Sequence, residues 1–300
     1  MSKRWQTWAV AGAAVGMAGA ILWQRRQQQA THQDTTPFST KYGPWAIVTG
    51  AARAEGIGYG FARHLAGRQI NLVLVDILAD ELEARAAELR RNYLVKVRPV
   101  ALDLGQPDFI NRLLAETDGL DIGLLICNHM YTPSDTPPIL DMPLEMHHRM
   151  LDINARAYTT LAHTYGRQMV NKGRGGIILV SSGAGMRGTA YTGAYSANKA
   201  YQFMFGEALW YELLGSGVDV LVLAPGLTRT QGDALDNYPA FMMMDVEPVV
   251  TETLAGLGQK HLVIPGPVNK LLEVLSARFM SRRQAVMTTG KLMAQGLQKE

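Results

Sequence analysis

The chain has 300 residues, of which 47% are hydrophobic and 18% charged, a composition that supports a sizeable core and excludes an intrinsically disordered protein. This length suits one α/β domain with extensions. The formal net charge of +3 is too small and too evenly spread to indicate a nucleic-acid-binding protein. The single cysteine, Cys127, excludes an internal disulfide, fits a reducing compartment, and is interpreted as a small buried hydrophobe rather than a nucleophile.

The N-terminal segment, residues 1–23, departs from the globular pattern. Residues 5–23 carry no charge, have tryptophans at both ends, and would reach roughly 28 Å as a helix, just enough for a hydrocarbon core. We favour a membrane anchor over the two alternatives, a cleaved signal peptide and a poorly ordered tail. Basic residues flank both ends, so their distribution does not orient the segment. Residues 24–43 are polar and glutamine-rich, which is typical of a linker.

Short apolar runs alternate with helical patterns from residue 44 onward. We predict strands at 45–49, 70–75, 95–102, 122–127, 176–180 and 218–223, and helices at 58–66, 79–92, 143–171 and 194–214. This alternation predicts a Rossmann-like doubly wound parallel sheet in a single domain. Such a sheet binds its ligand at the carboxyl ends of its strands, near the topological switch point.

A glycine-rich turn joins the first strand to the first helix of this domain. Gly50, Gly56 and Gly58 permit a tight turn, with Arg53 and Ile57 between them. Backbone N–H groups in such a turn can approach a pyrophosphate, and the following helix adds partial positive charge. Its place after a strand and before a helix predicts a dinucleotide site rather than an ordinary turn.

Acidic residues close the second and third strands. Asp76 is placed to accept hydrogen bonds from the adenine ribose and to repel a 2′-phosphate, which favours NAD over NADP. Arg53 favours the opposite choice, because a guanidinium can meet a 2′-phosphate. NAD is therefore the predicted cofactor, with NADP as the alternative. Asp103 is placed to meet the adenine ring.

The predicted catalytic group follows the fifth strand. Ser182 ends that strand, and Tyr195 and Lys199 lie four residues apart, on one face of the next helix. The ammonium is expected to lower the tyrosine pKa from about 10 toward the range of a general acid/base. Ser182 is expected to polarise the substrate oxygen.

With these motifs the chain resembles the short-chain dehydrogenase/reductase family over about residues 44–265. The matching motifs are the glycine loop, Asp103-Leu104, Asn154, Ser182, Tyr195-x-x-x-Lys199 and Pro225-Gly226-x-x-x-Thr230. The resemblance is closest to hydroxysteroid dehydrogenases and membrane-associated ketoacyl reductases. It implies that Asn154 shapes the active site and its proton-relay water, that Thr228 or Thr230 meets the nicotinamide carboxamide, and that the protein is a homo-oligomer.

Two segments depart from the family pattern. The glycine loop is lengthened at residues 51–55, which bears on cofactor choice more than on cofactor binding. The fourth strand usually ends Asn-Asn-Ala-Gly, and of this only Asn128 survives as a cofactor-binding residue. His129 and Met130 replace small residues, so we expect altered geometry beside the cofactor path.

The C-terminal third carries apolar patterns outside the motifs. Residues 227–246, rich in methionine, are predicted either to form a lid over an apolar substrate or to pack on the core. The tail, residues 266–300, is amphipathic and basic, and is predicted to lie on an anionic membrane or to cover the domain. No metal site is predicted, since His147 and His148 would point about 100° apart on a helix.

These observations favour a membrane-anchored NAD(P)-dependent oxidoreductase, facing the cytoplasm, that acts on an apolar ketone or secondary alcohol. The alternative is a catalytically silent NAD(P)-binding sensor or scaffold, which the altered segment after the fourth strand would fit. Ser182, Tyr195, Lys199 and Asn154 argue against it, because a protein without turnover needs none of them.

Overall fold

A computed structural model of the chain describes residues 37–133, 137–230, 238 and 240–296. The predicted anchor at 1–23 and most of the predicted linker lie outside these ranges. Within the ranges, no helix is both long enough and apolar enough to cross a membrane.

The described chain is built around one sheet in which all paired strands are parallel. Its strands are β1 (Trp45–Thr49), β2 (Asn71–Asp76), β3 (Val97–Ala101), β4 (Ile122–Cys127), β5 (Gly175–Val180), β6 (Val218–Leu223) and β7 (Leu262–Val263). The strands lie in the order β3-β2-β1-β4-β5-β6-β7. Successive strands are therefore added on one side of β1 up to β3, and on its other side from β4 onward. A crevice therefore opens at the carboxyl ends of β1 and β4.

Helices cover both faces of the sheet. They are α1 (Phe38–Tyr42), α2 (Ile57–Gly67), α3 (Ala79–Asn92), α4 (Phe109–Glu116), α5 (Leu144–Leu151), α6 (Ala157–Lys172), α7 (Gly193–Glu212), α8 (Val246–Gly256), α9 (Pro267–Phe279) and α10 (Arg282–Gly296). A π-helical turn, Asp152–Arg156, joins α5 to α6, and short 3-10 turns lie at Gly183–Gly185 and Ala240–Met242.

Alternate side chains of each strand enter two separate cores. Val48 and Ile126 face the core beneath α2, α3 and α8, whereas Ile47 and Leu125 face the core beneath α4 and α6. Burial on both faces explains why the central strands are almost continuously apolar. Cys127 is fully buried in the second core, which confirms its interpretation as a small hydrophobe.

The predicted Rossmann-like sheet and its first six strands are confirmed, with three differences of detail. The helix predicted over 143–171 is interrupted by the π turn. Helices α4 and α8 and strand β7 were not predicted. Helix α1 lies ahead of residue 44 and places Tyr42 under the sheet, where its hydroxyl donates to Asp219 at 2.5 Å.

Candidate active site

A cavity of about 1080 Å³ lies at the carboxyl edge of the sheet. Thirteen of the residues predicted from the sequence to form the site line it: Gly50, Arg53, Gly56, Ile57, Asp76, Asp103, Leu104, Asn128, Ser182, Tyr195, Lys199, Thr228 and Thr230. Two other predicted site residues, Gly58 and Asn154, do not line it. The fold therefore brings segments from six loops into one continuous cleft.

The glycine turn has the shape required to hold a phosphate group. Gly50 adopts φ +69°, and a Cβ there would lie 2.8 Å from the Cα of His129. A Cβ at Gly58 would lie 2.2 Å from the Gly50 carbonyl oxygen, so this glycine permits close packing of α2 rather than contact with a ligand. The Asn128 amide donates to the Gly50 carbonyl at 3.0 Å. The turn and the N-terminus of α2 together form a cradle that fits a pyrophosphate.

A fixed carboxylate stands at the adenosine end of this cradle. Asp76 accepts backbone N–H bonds from Ala52 at 3.0 Å, Ile77 at 2.8 Å and Leu78 at 3.2 Å. Arg53 is exposed on the neighbouring loop. The two opposing charges predicted to decide cofactor choice therefore both line the cavity.

Asp103 provides a second negative charge beyond β3. Burial raises the pKa of this carboxyl, but hydrogen bonds from the Gly105 N–H, Gln106 and Arg149 outweigh burial and hold the pKa below its usual range. Asp103 therefore stays ionised at neutral pH. Leu104 is buried beside it and contributes an apolar surface to the cavity wall.

Ser182, Tyr195 and Lys199 meet at the floor of the cavity. The Ser182 hydroxyl forms a side-chain hydrogen bond with Tyr195 and accepts the Ala184 N–H at 3.2 Å. The Lys199 ammonium lies 5.8 Å from the centre of the Tyr195 ring and donates to the Val180 carbonyl at 2.8 Å. The predicted serine, tyrosine and lysine are thus brought together as a group that can handle a proton.

The predicted lowering of the Tyr195 pKa is wrong for the ligand-free chain. Burial raises the pKa of Tyr195, and the hydrogen bond with Ser182 only partly opposes this. Burial also lowers the pKa of Lys199 to about 7, which weakens its charge at neutral pH. Tyr195 therefore holds its proton at neutral pH, as suits a general acid.

Asn154 acts from behind the cavity wall. Its side chain is fully buried, donates to the Tyr131 carbonyl at 2.7 Å and accepts the Tyr131 N–H at 2.8 Å. Its own carbonyl accepts a bond from Gln202 at 2.8 Å. Asn154 therefore fixes the loop after β4 and is a positioning residue.

Comparison with known proteins shows to which family a chain with this arrangement of serine, tyrosine and lysine belongs. The family model described as short chain dehydrogenase matches residues 44–237. The chain belongs to the short-chain dehydrogenase family. It is thus an oxidoreductase that acts on CH–OH groups.

Two of its relatives are named for different substrates. A 7beta-hydroxysteroid dehydrogenase from Collinsella aerofaciens is 34% identical over 241 residues, covering 77% of this chain and 89% of the relative. A very-long-chain 3-oxoacyl-CoA reductase from Bos taurus is 26% identical, covering 80% and 76%.

Solved structures give the same relationship. A 7beta-hydroxysteroid dehydrogenase superposes with a TM-score of 0.79 at 29% identity, covering 85% of this chain and 99% of that one. A short-chain dehydrogenase from Sphingobium yanoikuyae in complex with NADPH superposes with a TM-score of 0.69 at 27% identity, covering 82% and 96%.

His129, where this short-chain dehydrogenase departs from the family motif, turns into the protein. Its Nδ1 lies 2.7 Å from the Thr49 hydroxyl, and its Nε2 lies 3.0 Å from the Ile153 carbonyl. A carbonyl only accepts, so Nε2 carries the ring proton and Nδ1 accepts from Thr49. The ring packs on Tyr158 with centroids 4.5 Å apart.

The expected altered geometry takes this form: the His129 ring hydrogen-bonds inward, although the residue still contributes to the cavity wall. Met130, which is 37% exposed, also lines the cavity. The sequence offered one indication of this contact: Thr49 is a polar residue at the end of an otherwise apolar buried strand, where its hydroxyl needs a hydrogen-bond partner such as His129.

Parts of the predicted lid and tail form the outer end of the cavity. Tyr238 and Met242 line it, and residues 231–237 and 239 lie outside the described ranges. Helix α10 contributes Thr289, Leu292 and Met293 to the wall. Both interpretations of the whole tail, as a cover for the domain and as a membrane-binding surface, stay predictions. In the described chain, no group of three His, Cys, Asp or Glu residues is placed to hold a metal.

Arg187 connects the tail to the catalytic loop. Its guanidinium contacts both carboxylate oxygens of Glu273 in α9, at 2.7 and 2.9 Å, and donates to the Ser276 hydroxyl at 2.6 Å. Such a two-point ion pair fixes geometry as well as distance. It holds α9 against the segment that carries Ser182.

The burial of His129 predicts an acid-sensitive fold. Burial lowers the pKa of His129 from 6.5 to about 3, so below pH 6.5 the unfolded chain binds a proton that the folded chain does not. Stability is therefore lost as the pH falls from 6.5 toward 3. Between pH 7 and pH 5 the wild type should lose about 2 kcal/mol of unfolding free energy from this residue.

Urea titration at both pH values measures this loss. His129→Gln should be less stable at pH 7 but should lack this part of the pH dependence. The control, His163→Gln on the exposed face of α6, should keep the wild-type pH dependence. Equal pH dependence in wild type and His129→Gln would contradict the assignment.

Proposed function

We propose that this short-chain dehydrogenase interconverts an apolar ketone and its secondary alcohol, with a steroid-, lipid- or ketoacyl-like substrate. The observation that carries the proposal is the mixed composition of the cavity wall. Ser182 and Tyr195 line the cavity together with the apolar side chains of Met242, Leu292 and Met293. A polar reacting group and an apolar body would each meet a matching surface.

The chemistry divides between cofactor and protein. A nicotinamide cofactor, with its pyrophosphate bound at the glycine turn, would supply or take the hydride. In reduction, Tyr195 donates its proton to the carbonyl oxygen, and the Ser182 hydroxyl donates a hydrogen bond that stabilises charge developing there. In oxidation, Tyr195 takes the proton back. Lys199, anchored by Val180, positions the ring of Tyr195.

The relatives support the substrate class without naming a substrate. Their names refer to a hydroxysteroid and to a very-long-chain oxoacyl-CoA, and both the steroid nucleus and the long acyl chain are apolar. The methionines at the outer end would adapt to such a body, since their side chains are flexible. Steroid and acyl ketones are therefore the first substrates to assay.

Tyr195→Phe should lower kcat by about 10²- to 10⁴-fold, because the ring remains but the transferable proton is lost. The dissociation constant for the cofactor should stay close to the wild-type value. Steady-state rates and fluorescence titration of the cofactor measure the two effects. Tyr201→Phe, at an exposed position on the same helix, is the matched control and should retain activity. Full turnover in Tyr195→Phe would refute the proposed mechanism.

NAD is the preferred cofactor in this proposal. The carboxylate of Asp76 is held by three backbone N–H groups, so it cannot easily move away from a 2′-phosphate. Arg53 is exposed and attached to the longer loop, so it would order only at an entropic cost. The NADPH complex of the Sphingobium relative makes NADP the alternative to test.

Asp76→Asn should shift the NAD-to-NADP ratio of kcat/KM toward NADP by about tenfold or more, since the repulsive charge is removed. Asparagine keeps one acceptor oxygen, which can retain the N–H bonds from Ile77 and Leu78, whereas the bond from Ala52 to the other oxygen is lost. Arg53→Ala should shift the ratio in the opposite direction. A wild type that strongly prefers NADP, and loses that preference in Arg53→Ala, would overturn the choice of NAD.

The proposal also includes a membrane anchor at residues 5–23, with the catalytic domain facing the cytoplasm. It rests on the uncharged, tryptophan-flanked sequence and on the reduced state that Cys127 favours. The homo-oligomer implied by the family and the domain limits at 44–265 stay predictions.

Protein expressed in its own cells should resist extraction by high salt and alkaline carbonate but dissolve in detergent. Mass spectrometry should find residues 1–23 still attached. A mature chain that begins near residue 20–30 would indicate a cleaved signal peptide and would exclude the anchor. Salt extraction with an intact N-terminus would also exclude it.

A further inference from the structure

Helix α9 carries an apolar stripe with no partner in the described chain. None of its residues is buried. Five apolar residues fall within about 100° of one another around the helix. They are Val268, Leu271, Leu272, Leu275 and Phe279, with exposed fractions of 39%, 57%, 42%, 42% and 75%. A continuous exposed stripe of this kind marks an interaction surface rather than scattered surface residues.

Basic residues border the stripe. Arg278 flanks it on α9, and Arg282 and Arg283 begin α10 directly after it. None of the three has an ion-pair partner among the described residues, and all are exposed. Helices α9 and α10 together carry five basic residues and one acidic residue, Glu273, which Arg187 already pairs. The surface is therefore apolar with unbalanced positive charge beside it.

The stripe adjoins the mouth of the substrate cavity. Asn269, on the same helix, lines the cavity, as do Leu292 and Met293 of α10. Helix α9 also contacts the 3-10 turn Ala240–Met242, where Met242 lines the cavity and Phe241 is 68% exposed. The exposed apolar surface thus continues from α9 to the edge of the opening.

We propose that the α9 stripe, with Arg278, Arg282 and Arg283, lies on an anionic lipid surface, so that apolar substrate passes from the bilayer into the cavity. Apolar side chains would enter the acyl boundary, while the guanidinium groups would meet lipid phosphates. The charge favours anionic lipid over a second copy of the chain, because a copy would bring another cationic surface against this one. The route of entry rests on the proposed function, whereas the lipid contact does not.

A single environment-sensitive probe on the full-length chain tests the contact. The only native thiol, Cys127, is fully buried, so a Leu275→Cys variant can be labelled selectively. The control is Leu94→Cys, which is 94% exposed and precedes β3, at the opposite edge of the sheet from the cavity. Both labelled variants are mixed with vesicles of phosphatidylcholine that either contain or lack phosphatidylglycerol.

The probe at position 275 should shift to the blue and be quenched by brominated lipid chains in vesicles that contain phosphatidylglycerol. The probe at 94 should do neither. Combining Arg278→Gln, Arg282→Gln and Arg283→Gln should weaken the contact at 275 by about 100-fold, from three lost charges. Absence of quenching at 275 in anionic vesicles would overturn the proposal. A second outcome would also overturn it. If the probe at 275 were as blue-shifted in detergent as in vesicles, and the protein in detergent had the mass of a dimer, a second copy of the chain would be the occupant of the stripe.

The route of entry needs a second measurement. Leu271→Ser, Leu275→Ser and Phe279→Ser together should raise KM about tenfold for an apolar ketone supplied in vesicles. The same variant should leave KM for a small water-soluble ketone unchanged, because none of the three residues lines the cavity. An equal KM for the vesicle-borne ketone would reject entry from the bilayer. Lipid contact at 275 without turnover of any ketone would instead reject the proposed function and retain the lipid surface.

Discussion

The hydrogen-bonded contact between Thr49, His129 and the Ile153 carbonyl is the constraint on which the site depends. A parallel sheet brings the ends of β1 and β4 to one edge, but it does not fix the conformation of the loops that follow these strands. Here one imidazole joins both loops to the π turn before α6. A buried polar group without a partner costs about 1–3 kcal/mol, so the three parts keep their positions together or lose them together.

Burial favours the neutral forms at both ends of the cavity, but at one end hydrogen bonds outweigh it. At the catalytic end it favours neutral forms, since it raises the pKa of Tyr195 and lowers that of Lys199 to about 7. At the adenosine end, hydrogen bonds keep Asp103 ionised despite its burial. The site is thus prepared to donate a proton at one end and to orient polar groups at the other.

Sequence alone predicted those parts of the molecule that depend on short stretches of neighbouring residues. Apolar runs identified six strands, and motif spacing identified Ser182, Tyr195 and Lys199. Strand β7 was missed because its two residues are too short to form a pattern. The π turn was missed because the helical periodicity continues through it, while the bonds from His129 and Gln202 to its carbonyls come from distant segments. The direction of the Tyr195 pKa depends on its depth in the cavity, which spacing does not encode.

The C-terminal helices are the part of the described chain best suited to move when a substrate enters. Helix α9 buries none of its side chains, so little apolar packing opposes its displacement. Its fixed points include two ion pairs: Arg187 with Glu273, whose side chains are 16% and 24% exposed, and Lys270 with Glu252, whose side chains are 46% and 28% exposed. Ion pairs with this much access to water are weak compared with a packed core. An apolar molecule is therefore more easily admitted beside α9 than through the sheet edge, where Thr49, His129 and Ile153 hold the loops together. Opening at that place would leave Tyr195 and Lys199 in position, because both lie on α7.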